Sequence, residues 1–259
     1  MKICVLIKQV PDKDSSLTIA DDHLTLVENN ITWVSNESDN YALEEALQLR
    51  EKHGGEVIAC TLGKDSARQV LKDALAKGAD RGIFISDSSF ENLDVLSLGK
   101  VFASTLEKEN FDLIMSGLQS DDQGNSQLGL IIAELLNMSH GTLGMGTEVI
   151  DDSTIRLKKE LEGGWFQWTK LSLPASISIQ SGINSPRYAT LKGIMMVKKK
   201  TVDEINASDV ASRASASNIT VKKLYVPDKT KETQFIEGSP DEISEQLVKL
   251  FKNDIKVLN

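Results

Sequence analysis

Short apolar runs alternate along the first half of the chain with longer stretches in which apolar positions recur every three or four residues. Runs of strand length lie at residues 2–10, 56–63, 82–86 and 111–117. Their near-continuous hydrophobicity suits parallel strands covered on both faces. The stretches between them carry helical spacing. Residues 40–52 place Ala42, Leu43, Ala46, Leu47 and Leu49 on one side and stop at Gly54-Gly55. Residues 65–77 do the same with Ala67, Val70, Leu71, Ala74 and Leu75, and stop at Gly78. Glycine just past the last periodic residue is a C-terminal helix signal. Residues 93–109 carry Leu96, Leu98, Val101, Phe102 and Leu106, and 123–136 is apolar from Leu128 onward. Strand and helix in alternation predict an α/β fold, a doubly wound, mostly parallel sheet of Rossmann-like type.

The pattern then changes. Residues 148–150, 154–161 and 165–173 read as strands joined by short turns, with Glu162-Gly163-Gly164 as a hairpin turn. Residues 176–180 follow Pro174 as another strand, so the late part of the sheet is expected to be partly antiparallel. The glycine-rich stretch 141–146 comes after a helical pattern and reads as a connector. From about Thr201 the chain turns polar, with few apolar residues in 203–218 and 228–239. An amphipathic helix is predicted at 240–253, with Ile243, Leu247, Leu250 and Phe251 on one stripe that it cannot bury alone. The expected organisation is an α/β domain over 1–200, including a long loop at 184–200, and a C-terminal arm over 201–259. The arm packs on its own core or on a partner subunit, or is a flexible tail.

Composition narrows the function. The chain has 259 residues, 40% hydrophobic and 26% charged, with a net charge of -9. An acidic balance argues against general nucleic-acid binding, which needs many cationic phosphate contacts. Lys198 to Lys200 is a local exception that reads as a solvated end. Cys4 and Cys60 sit inside apolar runs, as buried thiols of a reducing compartment do. His23, His53 and His140 stand apart, and no metal-ligand spacing is present. No apolar run reaches the roughly 18 residues of a membrane span. The first apolar run, Ile3 to Ile7, is broken by Lys8 and is too short for a secretion signal. Glycine-rich dinucleotide, phosphate-loop and nucleophile-elbow signatures are missing from the sequence. Glu160 and Glu162 fall near the hairpin tip, where a solvated turn explains them better than an acid/base pair.

Candidate chemistry lies at the carboxyl ends of the predicted strands, where doubly wound sheets bind ligands. Four loops leave such ends: 8–12, 63–65, 86–88 and 117–127. The last is long, polar and glycine-containing, and it enters a helix whose first amides make a natural phosphate seat. It consists of Gly117, Leu118, Gln119, Ser120, Asp121, Asp122, Gln123, Gly124, Asn125, Ser126 and Gln127, followed by Leu128. A plain polar loop with a helix cap is the alternative. Residues 35–40 have a capping reading, with Asp39 or Asn40 at the N-cap, and capping and ligand binding can coexist. A seat for a nucleotide without catalytic groups suggests a binding or carrier protein.

The most specific segment is 178–200, SIQSGINSPRYATLKGIMMVKKK. It leaves a strand, turns at Ser185-Pro186, and mixes exposed-type apolar residues with a basic end. Its core, Asn184-Ser185-Pro186-Arg187-Tyr188-Ala189-Thr190-Leu191-Lys192-Gly193-Ile194, resembles the signature N-x-P-R-Y-A-x-L-x-x-I of electron-transfer flavoprotein beta subunits. Further pieces arrive in that family's order over roughly residues 1 to 200. They are Lys2-Ile3 to Lys8 with Val10 and Asp12, Ala42 to Ala46 with Leu49, Ala76 to Asp80, Gly117 to Gly129, Glu160 to Gly164, and Leu173-Pro174-Ala175.

The resemblance implies a subunit of a heterodimeric electron carrier without catalytic residues of its own. It implies a structural AMP in this subunit and an FAD held mainly by an alpha subunit, with electrons passing from a dehydrogenase to a downstream acceptor. Carried over residue by residue, the AMP seat falls on Leu6, Asn36, Glu37, Ser38, Asp39, Leu62 and Gly117 to Leu128. The dehydrogenase-gripping loop falls on Asn184, Pro186, Arg187, Tyr188, Leu191, Ile194 and Met195, with Leu191 as anchor. The chain departs from the family pattern at Asn36-Glu37-Ser38, where Asn-Pro-Phe is common, and at Leu128, where a hydroxyl is lost. Lys13 stands where an aromatic side chain can face the flavin. The wording at 161–164 and 180–184 is similar to bacterial members serving an amine dehydrogenase, which implies a cytoplasmic, bacterial protein. Two alternatives stand beside this reading: a bifurcating type with a second FAD in place of AMP, and a stand-alone adenine-nucleotide-binding regulator or hydrolase.

Overall fold

The five residues Lys2–Leu6 form β1, an interior strand of the main sheet, paired on both sides. The structure is a computed structural model. It describes residues 1–86, 93–206, 210, 217–228, 230, 231 and 233–257. In chain order the strands are β1, β2 (Gln9–Pro11), β3 (Trp33–Ser35), β4 (Glu56–Leu62), β5 (Arg81–Ser86), β6 (Leu113–Gly117), β7 (Ser139–Asp151), β8 (Thr154–Glu160), β9 (Phe166–Ser172), β10 (Ala175–Ile179) and β11 (Val202–Asn206). The helices are α1 (Glu37–His53), α2 (Arg68–Lys77), α3 (Val95–Leu106), α4 (Leu128–Leu135), α5 (Leu191–Met196) and α6 (Pro240–Asn253). Among the described residues the main sheet has nine strands, ordered β11-β5-β4-β1-β6-β10-β7-β8-β9. Pairing is parallel from β11 through β10 to the start of β7 and antiparallel from β7 to β9. β2 and β3 make a separate antiparallel ribbon. The doubly wound architecture and its antiparallel extension are those the sequence predicts.

Alternation along each strand divides the core in two. Ile3 and Val5 of β1, with Val57 and Ala59 of β4, face α1 and α2. Cys4 and Leu6, with Ile58 and Cys60, face α3 and α4, where Val101, Phe102, Leu106 and Ile132 cover them. All of these side chains are buried. Successive residues of a strand point to opposite faces, so one apolar run supplies both layers. Both thiols are buried as expected, and burial pushes Cys4 well above the ordinary thiol range.

Element boundaries depart from the sequence reading for local reasons. The predicted strand 2–10 breaks at Ile7, and Gln9–Pro11 turns away to pair with Trp33–Ser35. The first helix begins at Glu37, with Asn36 rather than Asp39 or Asn40 at its N-cap. The predicted helix 123–136 is confined to Leu128–Leu135. Part of the predicted loop 86–88 and part of the polar stretch 203–218 lie outside the described residues. Val202–Asn206, which overlaps the start of that stretch, pairs in parallel with β5 at the edge of the sheet.

The stretch 141–146 is not a connector but the middle of β7. Its glycines are a packing requirement. A Cβ at Gly141 would lie 2.5 Å from Leu157 Cδ2 and 3.2 Å from Leu171 Cδ1, and one at Gly144 would lie 2.9 Å from Leu157 Cδ1. The meander curls over β7, and β8 and β9 fill the space that those two residues leave. The turn at Glu162–Gly164 closes the β8–β9 hairpin as predicted, with Gly163 at φ 69° and Gly164 at φ 78°. On the solvent face of the hairpin Arg156 stacks on Trp168 and Lys158 on Phe166. Charged caps of this kind blunt an exposed edge strand.

The chain divides into two compact units, Met1–Lys222 and Lys223–Asn259. The second contains α6, closed at its start by a reciprocal capping box between Ser239 and Glu242. No residue of α6 is fully buried, so its stripe of Ile243, Leu247, Leu250 and Phe251 stays half-exposed.

The glycine argument is measurable. Leu157→Ala is expected to destabilise the chain by about 2–5 kcal/mol, as deletion of a buried leucine does. Gly141→Ala is expected to cost about 1–3 kcal/mol by overpacking. In the Leu157→Ala background most of the Gly141→Ala cost should vanish. Urea unfolding of the four proteins tests the coupling, and strict additivity would show that the two positions do not compete for space.

Candidate functional site

Strand order reverses beside β1. The chain leaves β1 through α1 to β4 on one side, while β6 pairs with β1 on the other. A crevice opens above the carboxyl ends at such a switch point. Here it is a cleft of about 790 Å³ including its open mouth, within the size of small-molecule sites. Its apolar wall comes from Leu6, Leu62, Leu98, Phe102 and Leu128. Its polar side comes from Lys8, Asn36, Asp39, Ser116 and, in the loop after β6, Gln119, Ser120, Gln123, Asn125, Ser126 and Gln127.

One carboxylate ties this crevice together. Asp39, in the first turn of α1, accepts the backbone N–H of Lys8 at 2.8 Å through Oδ2 and that of Gly117 at 2.7 Å through Oδ1. It therefore joins the ends of β1 and β6 to α1. Gly117 is required there, because a Cβ would lie 2.1 Å from Ser38 Oγ and 2.5 Å from Asp39 Oδ1. Burial pushes the Asp39 carboxyl up to about 6, opposed by the N–H groups of Lys8 and Gly117, the Asn36 amide and the Lys8 charge. At pH 7 it is a buried carboxylate with both oxygens satisfied.

The neighbouring side chains shape the 117–127 loop. The Asn36 amide donates to Gln119 O at 3.0 Å and to Ser38 Oγ at 3.0 Å, and Asn36 Oδ1 accepts from Asp121 N at 2.9 Å. Ser38 Oγ donates to Gln119 O at 2.7 Å. Leu118 N–H bonds Ile179 O at 2.8 Å, which fixes the loop to the end of β10. Gly124, at φ 61°, turns the loop and donates to Ser120 O at 2.9 Å. The loop then enters α4, whose first amides have no partner within the helix. The helix approaches the sheet closely. A Cβ at Gly129 would lie 2.9 Å from Ser178 Oγ and 3.1 Å from Ser116 Oγ, while Ser176 Oγ donates to Gly129 O at 3.0 Å.

Of the nucleotide residues expected from sequence, Leu6, Asn36, Asp39, Leu62, Gly117, Leu118, Gln119, Ser120, Gln123, Asn125, Ser126, Gln127 and Leu128 line the cleft. Glu37, Ser38, Asp121, Asp122 and Gly124 support the loop from behind or at its rim. Ile7, Val95, Leu98, Phe102, Ser116 and Gly129 line the cleft as well and were not in the expected set. The α3 residues carried only the signal of a buried helical stripe, and nothing local tells which part of a stripe reaches a ligand cleft. Lys8 had a signal, a cation at the end of a central strand. Its ammonium reaches Asp122 Oδ1 at 2.7 Å, Gln123 Oε1 at 3.2 Å and Ser120 Oγ at 3.4 Å.

The residues expected to bind a partner separate into two groups. Asn184 and Arg187 face inward. Asn184 donates to Tyr41 O and Glu45 Oε2, both at 3.1 Å. Arg187 grips Glu44 through Nε at 2.8 Å and Nη2 at 3.0 Å, and Glu51 through Nη1 at 2.6 Å. Burial pushes the Glu44 carboxyl up, and Arg187 more than offsets this, leaving it below the usual range. Pro186 lies half-buried beside them. Tyr188, Leu191, Ile194 and Met195 instead point to solvent, exposed by 92%, 76%, 54% and 70%. They sit on and beside α5, which Thr190 caps and which packs on α2 so closely that a Cβ at Gly193 would lie 2.1 Å from Ala76 O. Lys200 anchors the end of the segment by donating to Leu75 O at 2.9 Å and Ala79 O at 2.5 Å. Among the described residues, no group of His, Cys, Asp and Glu is arranged to hold a metal, and no helix is long and apolar enough to cross a membrane.

Asp39 gives the site a pH signature. Its folded pKa lies above its unfolded value of 3.8, so its contribution to stability is greatest below about pH 4 and declines as pH rises to about 6. Asp39→Asn turns an NH2 toward one of two N–H donors and is expected to destabilise the chain by about 1–3 kcal/mol at neutral pH. The deficit relative to wild type should widen as pH falls from about 6 toward 4, which urea unfolding at a series of pH values measures. A deficit independent of pH would contradict the raised pKa.

The electron transfer flavoprotein domain model matches residues 23–210. The chain is 33% identical over 260 residues to the electron transfer flavoprotein subunit beta of Methylophilus methylotrophus, covering 97% of each. It is 31% identical over 261 residues to that of Bacillus subtilis, covering 100% of both. With the human subunit beta it shares 32% over 213 residues, 81% of this chain and 83% of the relative. A doubly wound sheet with a crevice at its switch point, and kinship of this extent along nearly the whole chain, place the protein in the electron transfer flavoprotein family, among the beta subunits.

Proposed function

We propose that this chain is the beta subunit of a heterodimeric electron carrier, that it buries an AMP in the β1/β6 cleft, and that it docks a flavin-dependent dehydrogenase through the 184–200 segment. The observation that carries the reading is the division of that segment. Asn184, Arg187 and Lys200 are spent on α1 and the end of α2, while Tyr188, Leu191, Ile194 and Met195 are left in solvent. Exposed large apolar side chains on an ordered element mark an interaction site. A protruding leucine ringed by polar groups is a sensible anchor for a transient complex.

The cleft fits an adenine nucleotide. Leu6, Leu62, Leu98, Phe102 and Leu128 offer an apolar wall for a base. The start of α4 with Ser126 offers donors for a phosphate. The chain supplies binding and position: Asp39 fixes the rim, and the 117–127 loop follows from it. FAD is held mainly by an alpha subunit, and the flavin supplies the electron-accepting chemistry. The carrier reading assigns no catalytic residue to this chain. The compact unit 223–259, with its half-exposed stripe, is proposed to pack on the alpha subunit, and the protein to work in the bacterial cytoplasm.

Co-expression with an alpha subunit, acid release and mass analysis of bound nucleotide test the cofactor assignment. One FAD and one AMP per heterodimer are expected. Two FAD and no AMP would move the reading to a bifurcating carrier, and nucleotide bound without any partner subunit would favour a stand-alone regulator. For the docking segment, Leu191→Ala is expected to slow reduction by the dehydrogenase at least about tenfold, as loss of an interface anchor does, with the flavin absorbance spectrum unchanged. Normal transfer in that variant would remove the loop assignment.

A further inference from the structure

The rim of the cleft holds two positions that attract anions, and the same loop fills both. The first is the N-terminus of α1. Asn36 stands at its N-cap but makes no capping bond, since its side chain is turned to Gln119 and Asp121. The Asp121 carboxylate takes the cap's place, accepting Glu37 N–H through Oδ2 at 3.2 Å. The second is Lys8. An ammonium has three donors, and here Asp122, Gln123 and Ser120 accept from it. Asp122 is the close partner at 2.7 Å, with side-chain exposure of 27% against 37% for Lys8. Burial raises the Asp122 carboxyl, and Lys8 more than offsets it, so this group stays ionised at neutral pH.

We propose that Asp121 and Asp122 determine how many phosphates the cleft accepts: as internal counter-ions they hold both positive rim positions, so a nucleoside bearing one phosphate binds and longer polyphosphates are rejected. The inference rests on the nucleotide reading above. A first phosphate is served by the start of α4, whose N-cap Gln127 makes no side-chain capping bond, whereas the start of α3, which also reaches the cleft at Val95, is capped by Asp94. A second or third phosphate would reach the rim, where it meets two carboxylates instead of a cation. Like charge at a rim discriminates by repelling the wrong ligand, with no added contact to the right one. Asp122 also keeps Lys8 from rewarding an extra phosphate.

The test is equilibrium dialysis of adenosine, AMP, ADP and ATP against the full chain, purified with its partner subunit and stripped of nucleotide. Wild type is expected to bind AMP at least about tenfold tighter than ATP, the worth of one charge-assisted hydrogen bond. In Asp122→Asn that ratio should shrink by about tenfold, since Lys8 is released to the polyphosphate, while adenosine affinity stays within about twofold. ATP binding to the variant should also weaken as salt is raised, because it now uses an exposed charge. Asp122→Glu should restore the discrimination. An unchanged ATP-to-AMP ratio in Asp122→Asn, with adenosine still bound, would overturn the proposal, as would wild type binding ATP as tightly as AMP. If Asp122→Asn loses adenosine too, Asp122→Glu decides: discrimination kept with adenosine bound supports the charge, and discrimination lost overturns it. Failure of wild type to bind any of the four compounds would instead remove the nucleotide reading itself.

Discussion

The site depends on a carboxylate taken out of water and given two backbone donors. Asp39 accepts from Lys8 at the end of β1 and from Gly117 at the end of β6. Each strand is the start of a different run of the doubly wound sheet, so the crevice between them is fixed by one side chain of the helix that begins between them. Desolvation works against the charge. The two N–H groups would in turn be unsatisfied without it. This mutual need explains why the approach is so close that no side chain fits at 117. The loop that follows inherits its course from the same place, through Ser38 and Asn36.

A second clamp repeats the logic farther along α1. Arg187 sends a planar fork to Glu44 and reaches Glu51 one helical turn pair away, so a single cation reads two carboxylates on one helix face. Bidentate arginine pairs fix orientation as well as distance. One end of α1 thus supports the switch-point cleft and its middle supports the 184–200 segment. The cleft and the segment share a helix without sharing residues.

Much of this was legible in the sequence. The parallel strands and the faces of α1 and α2 follow from periodic apolar residues, and the loop from Gly117 to Leu128 announces itself by polarity and position. What stayed hidden was set by contacts between distant segments. Gly141 and Gly144 look like a linker until Leu157 and Leu171 are seen packing over them. The α3 residues Leu98 and Phe102 carry no mark of lining a cleft. Asp39 reads as a helix cap, because its spacing from the apolar run suits one, yet its partners lie 31 and 78 residues away in sequence. Arg187 belongs to a signature, but only the fold shows that it grips its own chain while Tyr188 and Leu191 beside it do not.

The 184–200 segment, proposed above to dock a partner, is held at both ends. It leaves β10 near the middle of the sheet and rejoins at β11, beyond β5 on the far edge. Between those ends it is fastened to α1 by Arg187 and to α2 by Gly193 and Lys200. Leu191 and Met195 therefore protrude from a strap without slack. A partner that meets them has little loop entropy to quench, a cost that weakens many transient complexes. On the proposed docking role, a stiff anchor would let a small contact suffice, which suits a carrier that must bind and leave quickly.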